Sequence, residues 1–157
     1  MAYTTVDDPS AFFQTKLYTG NSGTNAITFD GNSDLQPDLI WLKERSSAGA
    51  GLLFDAVRTA TKFVRSSDSA AEVTAADTLT AFNSDGFTLG ADSGNYAANQ
   101  NSETYASWNW KANGAGSVNY NGSINSTVSA NTTSGFSIVK YTGNATVSTI
   151  GHGLGVA

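Results

Sequence analysis

Tyr96 is the large side chain of a long polar stretch, Ala91 to Glu103, where it stands among Ser93, Gly94, Asn95, Asn99, Gln100 and Asn101. One ring beside several amides suits recognition of a sugar. The ring stacks on a pyranose face while Asn95, Asn99 and Gln100 exchange hydrogen bonds with its hydroxyls. A plain solvated loop has the same composition, so simple loop packing is the competing reading. Trp108 and Trp110 share a strand face with Ala106, which reads first as sandwich core and second as an open stacking platform. Trp41, inside a run that is apolar on both faces, reads as core. Asp30, Asn32 and Asp34 have the spacing of the first ligands of a calcium loop. The sixth position is Leu35 and the twelfth is Trp41, so no EF-hand forms, and a turn favouring Asx residues is the preferred reading.

Other reactive constellations are missing. His152 is the one histidine and cysteine is absent, so neither a zinc site nor a histidine-based triad assembles within the chain. Glu44, Glu72 and Glu103 fall on three separate segments, with no spacing that pairs them as a hydrolase would need. The Gly151 to Gly155 stretch lacks the Lys-Ser/Thr of a phosphate loop. The expectation is a protein without cofactor, metal or catalytic residues. Four Asn-x-Ser/Thr sequons, at Asn121, Asn125, Asn131 and Asn144, follow from a Ser/Thr/Asn-rich composition, and without a signal peptide glycosylation is discounted.

Charged residues make up only 13% of the chain, about half the usual share, and Ser, Thr, Asn and Gly fill the gap. That balance suits strands, turns and a surface solvated by hydroxyls and amides. The net charge of −5, with no Lys/Arg run, disfavours nucleic acid and anionic membrane surfaces, both of which call for a basic face. No apolar run approaches the roughly 20 residues of a membrane span, so no membrane insertion is expected. The stretch Met1 to Asp8 lacks the basic start and apolar core of a signal peptide, which implies synthesis as a soluble product in a cytoplasm.

The elements follow from turn signals and periodicity. Short strands are expected at 15–18, 26–29, 38–45, 52–58, 61–65, 79–82, 87–89 and 104–111, with a surface excursion at 66–76. Asp85-Gly86 marks a hairpin, because Gly supplies the positive φ of a tight turn. Many short strands at this spacing mean an all-β fold, an antiparallel β-sandwich or jelly roll. Phe13-Gln14-Thr15-Lys16-Leu17-Tyr18-Thr19-Gly20-Asn21 then reappears as Phe136-Ser137-Ile138-Val139-Lys140-Tyr141-Thr142-Gly143-Asn144, keeping the Phe/Tyr anchors and the Thr-Gly-Asn turn. The organisation expected is an arm at 1–10, a sandwich at 11–112, a Gly/Ser/Asn/Thr-rich segment at 113–134 and the incomplete start of a second module at 135–157. The 113–134 segment is either an extended linker or a hairpin at Asn121-Gly122. Asp8-Pro9-Ser10 reads as a turn into the first strand. In the alternative reading the arm is an anchor, with Tyr3, Asp7, Asp8, Pro9 and Phe12 as the docking residues.

The runs Phe13 to Asn21, Ile27 to Lys43, Leu53 to Arg58, Phe82 to Gly90 and Ala106 to Ala112, in this order, resemble modules of marine bacteriophage virion proteins. Such modules are similar to concanavalin A-like lectin/glucanase sandwiches. The resemblance implies a structural virion protein, most readily the N-terminal part of a tail fibre that docks on the tail and presents lectin-like modules to host-surface glycans. It implies other virion proteins as partners and a homo-oligomer, a trimer by analogy with such fibres. A carbohydrate-binding module acting directly on glycans, and a capsid-bound decoration or head fibre protein, are the alternatives. The clustered acids of the glucanase relatives are absent, which argues against catalysis.

Overall fold

The computed structural model describes residues 6–155. Among them there is no α-helix, and the chain is built from twelve antiparallel strands after one 3-10 turn at Pro9–Ala11. In chain order they are β1 (Phe13–Thr19), β2 (Asn25–Ile27), β3 (Leu39–Glu44), β4 (Gly51–Asp55), β5 (Lys62–Arg65) and β6 (Val73–Thr74). Then come β7 (Leu79–Asn83), β8 (Gly86–Leu89), β9 (Thr104–Trp110), β10 (Ser117–Asn119), β11 (Ser126–Asn131) and β12 (Phe136–Tyr141). The excursion expected at 66–76 ends in β6, a short strand at the border of the large sheet.

A six-stranded sheet in the order β1-β9-β3-β4-β5-β6 packs over a three-stranded sheet in the order β2-β8-β7. Alternation along each strand sends one set of side chains between the layers. From the large sheet these are Ile40, Leu42, Leu52, Phe54, Phe63 and Tyr105; Ile27, Leu79, Phe87 and Leu89 of the small sheet meet them in one buried cluster. Tyr18 stacks on Tyr105 at 5.0 Å and meets Phe87 edge-on at 6.1 Å, which binds the border strand β1 to both layers. The protein is an all-β antiparallel sandwich. The Asp85-Gly86 hairpin forms as expected, with Asn83 paired to Gly86 and a φ of +101° at that glycine.

Two expectations are corrected. Trp108 and Trp110 do not lie between the layers, and neither does Trp41. On β9 the inward residues are Tyr105, Ser107 and Asn109, all fully buried, and the tryptophans alternate to the outer face. The polar residues are held there in part by bonds within the interior: Asn109 Nδ2 donates to the Gln14 carbonyl at 3.0 Å and to Ser107 Oγ at 3.0 Å, while its Oδ1 is buried without a partner. Trp41 sits opposite Trp108 in the register and is 40% exposed, so β3 is not covered on both faces.

Of the two readings of 113–134, the hairpin and not the extended linker is what forms, with Asn121-Gly122 in its connection. The segment forms β10 and β11, and β12 joins them in a separate three-stranded sheet, β10-β11-β12. The second copy of the repeated strand therefore does not enter the sandwich. It reaches the outer face of the large sheet through Phe136, whose ring stacks on Trp110 at 6.1 Å. Asp38, fully buried, anchors the crossing by accepting the Ala112 N–H at 2.7 Å, and Ser129 Oγ accepts the Asn113 N–H at 2.8 Å. The later stretch folds back over this sheet, with Ile150 bridged to Gly122 and Gly153 against Val128.

Candidate functional site

The polar loop around Tyr96 is organised by Asp92, whose buried carboxylate accepts the N–H groups of Tyr96, Ala98 and Asn99 and the Gln100 Nε2. Such a ring of donors around one carboxylate fixes the chain path without regular secondary structure. Asn99 is completely buried. Its Nδ2 donates to Asn21 Oδ1, the Gly23 carbonyl and the Gly90 carbonyl, while its Oδ1 accepts from the Asn21 N–H and Asn25 Nδ2. Gln100 gives its amide to Asp92 and its backbone N–H to the Tyr105 hydroxyl at 2.9 Å. The ring of Tyr96 turns edge-on to Phe63 at 5.2 Å, at the margin of the core. Of the four sugar-contact candidates only Asn95 is exposed, and it takes a left-handed φ of +54°. The loop thus brings Tyr96, Asn99 and Gln100 together, but spends the Asn99 amide and the Gln100 Nε2 on the β1–β2 turn, the Gly90 carbonyl and Asp92.

Burial governs the two tyrosines beneath this loop. It pushes the Tyr105 hydroxyl up to about 12, with Glu44, Asp92 and Glu103 adding to the shift and the Gln100 N–H opposing it. The same cause, with Tyr105 and Asp92 as neighbours, raises Tyr18 well above the ordinary tyrosine value. Glu72 is elsewhere, near Arg58 and Lys62 at 3.9 and 3.8 Å.

At the start of the described chain, Asp8 caps the 3-10 turn by accepting the Ser10 N–H and hydroxyl, and takes the Ser33 hydroxyl at 2.6 Å. These bonds hold its carboxyl below the usual carboxylate range. The arm is therefore clamped to the 30–34 loop, which Gln14 also grips through the Gly31 N–H and the Ser33 carbonyl. Asp7 and Pro9 are exposed and Phe12 is half-buried beside Phe13, Trp110 and Phe136. Tyr3 lies outside the described residues. Asp30 pairs with Lys16 at 2.9 Å, and among the described residues no three His, Cys, Asp or Glu side chains gather as a metal site. His152 accepts the Leu154 N–H through Nδ1 at 3.1 Å.

The feature that sequence reasoning placed wrongly is the outer face of the large sheet. Register aligns Thr15, Trp108, Trp41, Leu53 and Val64 in one row across β1, β9, β3, β4 and β5. Leu17, Ala106, Lys43 and Gly51 form the next row, and Phe13, Trp110, Leu39 and Asp55 the one before. The third sheet closes over the last of these at Trp110, and β12 runs beside Asp55 and Arg58. The Trp41 and Trp108 rings, 5.3 Å apart and tilted by 40°, remain at the surface side of the sheet. The signal was the strict alternation of Trp108 and Trp110 with Ser107 and Asn109; hydrophobicity alone chose the wrong side.

Residues 8–157 match the family described as a domain of unknown function, DUF7483. The chain belongs to that family, and the match runs without a break across the sandwich and the third sheet. No curated protein matches the chain, and no solved structure matches it. Among the described residues, no helix is long and apolar enough to cross a membrane.

Proposed function

We propose that this chain is a non-catalytic structural and attachment module of a bacteriophage virion, part of a tail fibre or a related appendage. The observation that carries the reading is the duplicated strand: both copies form a border strand of a sheet, and their first aromatics, Phe13 and Phe136, converge on Trp110. A motif that builds the start of one module and then rests on that module's flank is what a protein of serially stacked units requires. The low charge and hydroxyl-rich surface agree with a passive, extended appendage. So does the commitment of Asp92, Asn99 and Gln100 to internal bonds. In this reading the partners are other virion proteins and further copies of the chain in a trimer, the location is the particle surface, and the modules present a face to host glycans.

The test is made on particles. Antibody labelled with gold, raised against residues 6–155, is expected to decorate purified particles at the tail, with the chain present in fixed proportion to the other tail proteins. Recovery of the chain only from the soluble lysate, with unlabelled particles, sinks the reading.

A further inference from the structure

Trp41 and Trp108 are the centre of an open sheet face. Their register row carries no charged residue, and the adjoining Leu17 row carries one, Lys43. That ammonium is already bound to the Glu44 carbonyl at 2.8 Å and the Gly49 carbonyl at 2.6 Å. Among the described residues neither indole N–H has an acceptor. Thr15 and Ser66, both exposed, flank the rings with hydroxyls. Trp41 is held in place from below: a Cβ at Gly51 would collide with Ser66 Oγ and stand 3.0 Å from Trp41 Nε1, so the glycine lets the indole edge lie close to β4.

We propose that Trp41 and Trp108 form a shallow binding face for one neutral pyranose unit of a surface polysaccharide. The electron-rich indole face attracts the polarised C–H groups of a sugar ring. The tilt makes Trp108 a wall beside the ring seated on Trp41. The free indole N–H groups and the Thr15 hydroxyl meet sugar oxygens, while Ser66 Oγ, which donates to the Gly51 carbonyl at 3.3 Å, is left to accept from a sugar hydroxyl. Absence of an available charge on these rows selects an uncharged sugar over an acidic one, since an anion left without a counter-charge loses its hydration for nothing. A protein partner fits less well. On these two rows only Trp41 and Leu17 are strongly exposed apolar side chains, at 40% and 61%, whereas a standard protein interface takes roughly 20–30 residues a side. The inference rests on the attachment reading above and names the surface that makes the contact.

The experiment uses the full chain, with a soluble glucan, a mannan, a galactan and a sialic acid polymer as probes in affinity electrophoresis and tryptophan fluorescence. At least one neutral polymer is expected to retard the chain and shift its emission, with roughly millimolar affinity per sugar. Trp41→Ala and Trp108→Ala each weaken that binding by roughly tenfold or more, Trp41→Phe keeps part of it, and the sialic acid polymer does nothing. Denaturation midpoints of the variants, read in parallel, separate lost binding from lost folding. The inference is overturned if no neutral polymer binds, if Trp41→Ala binds as the parent does, or if sedimentation shows that Trp41 instead joins two copies. A labelled particle with no polymer bound removes this inference alone. Polymer binding through Trp41 with an unlabelled particle removes only the virion reading.

Discussion

Phe136 lies over the indole of Trp110, with ring centroids 6.1 Å apart and planes inclined by 20°. Phe13, its counterpart in the first copy of the repeat, meets the same indole at 5.0 Å and 51°. Among the described residues, Trp110 is thus the ring shared by the two copies. The contact also joins the β10-β11-β12 sheet to the sandwich.

Phe136→Ala is therefore expected to loosen the third sheet and leave the sandwich intact. An aromatic pair adds about 0.5–1.5 kcal/mol beyond its buried area. Hydrogen exchange should speed up in β10 to β12 and stay unchanged in β3, β4 and β9. Uniform acceleration across the chain would mean that the two parts unfold as one.

Asn99→Ala should be among the most damaging single changes. It strands the Gly23 and Gly90 carbonyls and the Asn21 N–H, all of which rely on that side chain. Each such group costs about 1–3 kcal/mol when left unpaired, so a loss of roughly 3 kcal/mol is expected. Urea denaturation reads it as a lower midpoint at constant slope. A midpoint within error of the parent would show that the Asp92 knot holds the loop unaided.

Alkali should unfold this protein through Tyr18 and Tyr105. The folded-state value of Tyr105 is about 12 against an ordinary 10.0, so the folded chain keeps a proton that the unfolded chain gives up. The stabilisation is complete below pH 10 and is lost as the pH climbs towards 12. Denaturation midpoints measured at rising pH should fall across that window. Tyr105→Phe, which removes the acceptor for the Gln100 N–H at a cost of about 1 kcal/mol, should flatten the fall.

Acid should release the arm. Asp8 titrates below its ordinary value of 3.8 because the Ser10 and Ser33 hydroxyls favour the carboxylate. Its contribution is present above that value and disappears as the pH drops through the lower, folded one. Asp8→Asn at neutral pH should imitate the acid form, releasing the clamp so that the 30–34 loop is cut sooner by protease. An unchanged cleavage rate would show that Gln14, Ser10 Oγ and the Lys16–Asp30 pair hold that loop without Asp8.

Most strands were legible because turn chemistry brackets them. Asp85-Gly86 and the run before Leu39 mark their boundaries locally, within a few residues. The inner face of β9 was not legible. Hydrophobic ranking puts Trp108 and Trp110 inside, yet Ser107 and Asn109 go in because Gln14, on the neighbouring strand, accepts a bond from Asn109. The role of Asn99 was hidden for a related reason. Its partners, Asn21, Asn25 and Gly23, are more than seventy residues away in the chain, beyond any local pattern. Amides in a loop look alike in sequence whether they meet water or a distant carbonyl.

Each rim strand formed by the duplicated segment carries a lysine, Lys16 on β1 and Lys140 on β12. A foreign strand that docked edge-on would have to break the Lys16–Asp30 pair on β1 or strip water from the exposed Lys140 ammonium on β12. Both copies can therefore leave half their backbone donors and acceptors facing solvent without inviting runaway sheet growth. Crowded together at high local concentration, molecules with rims of this kind are disfavoured from fusing into amyloid-like ribbons.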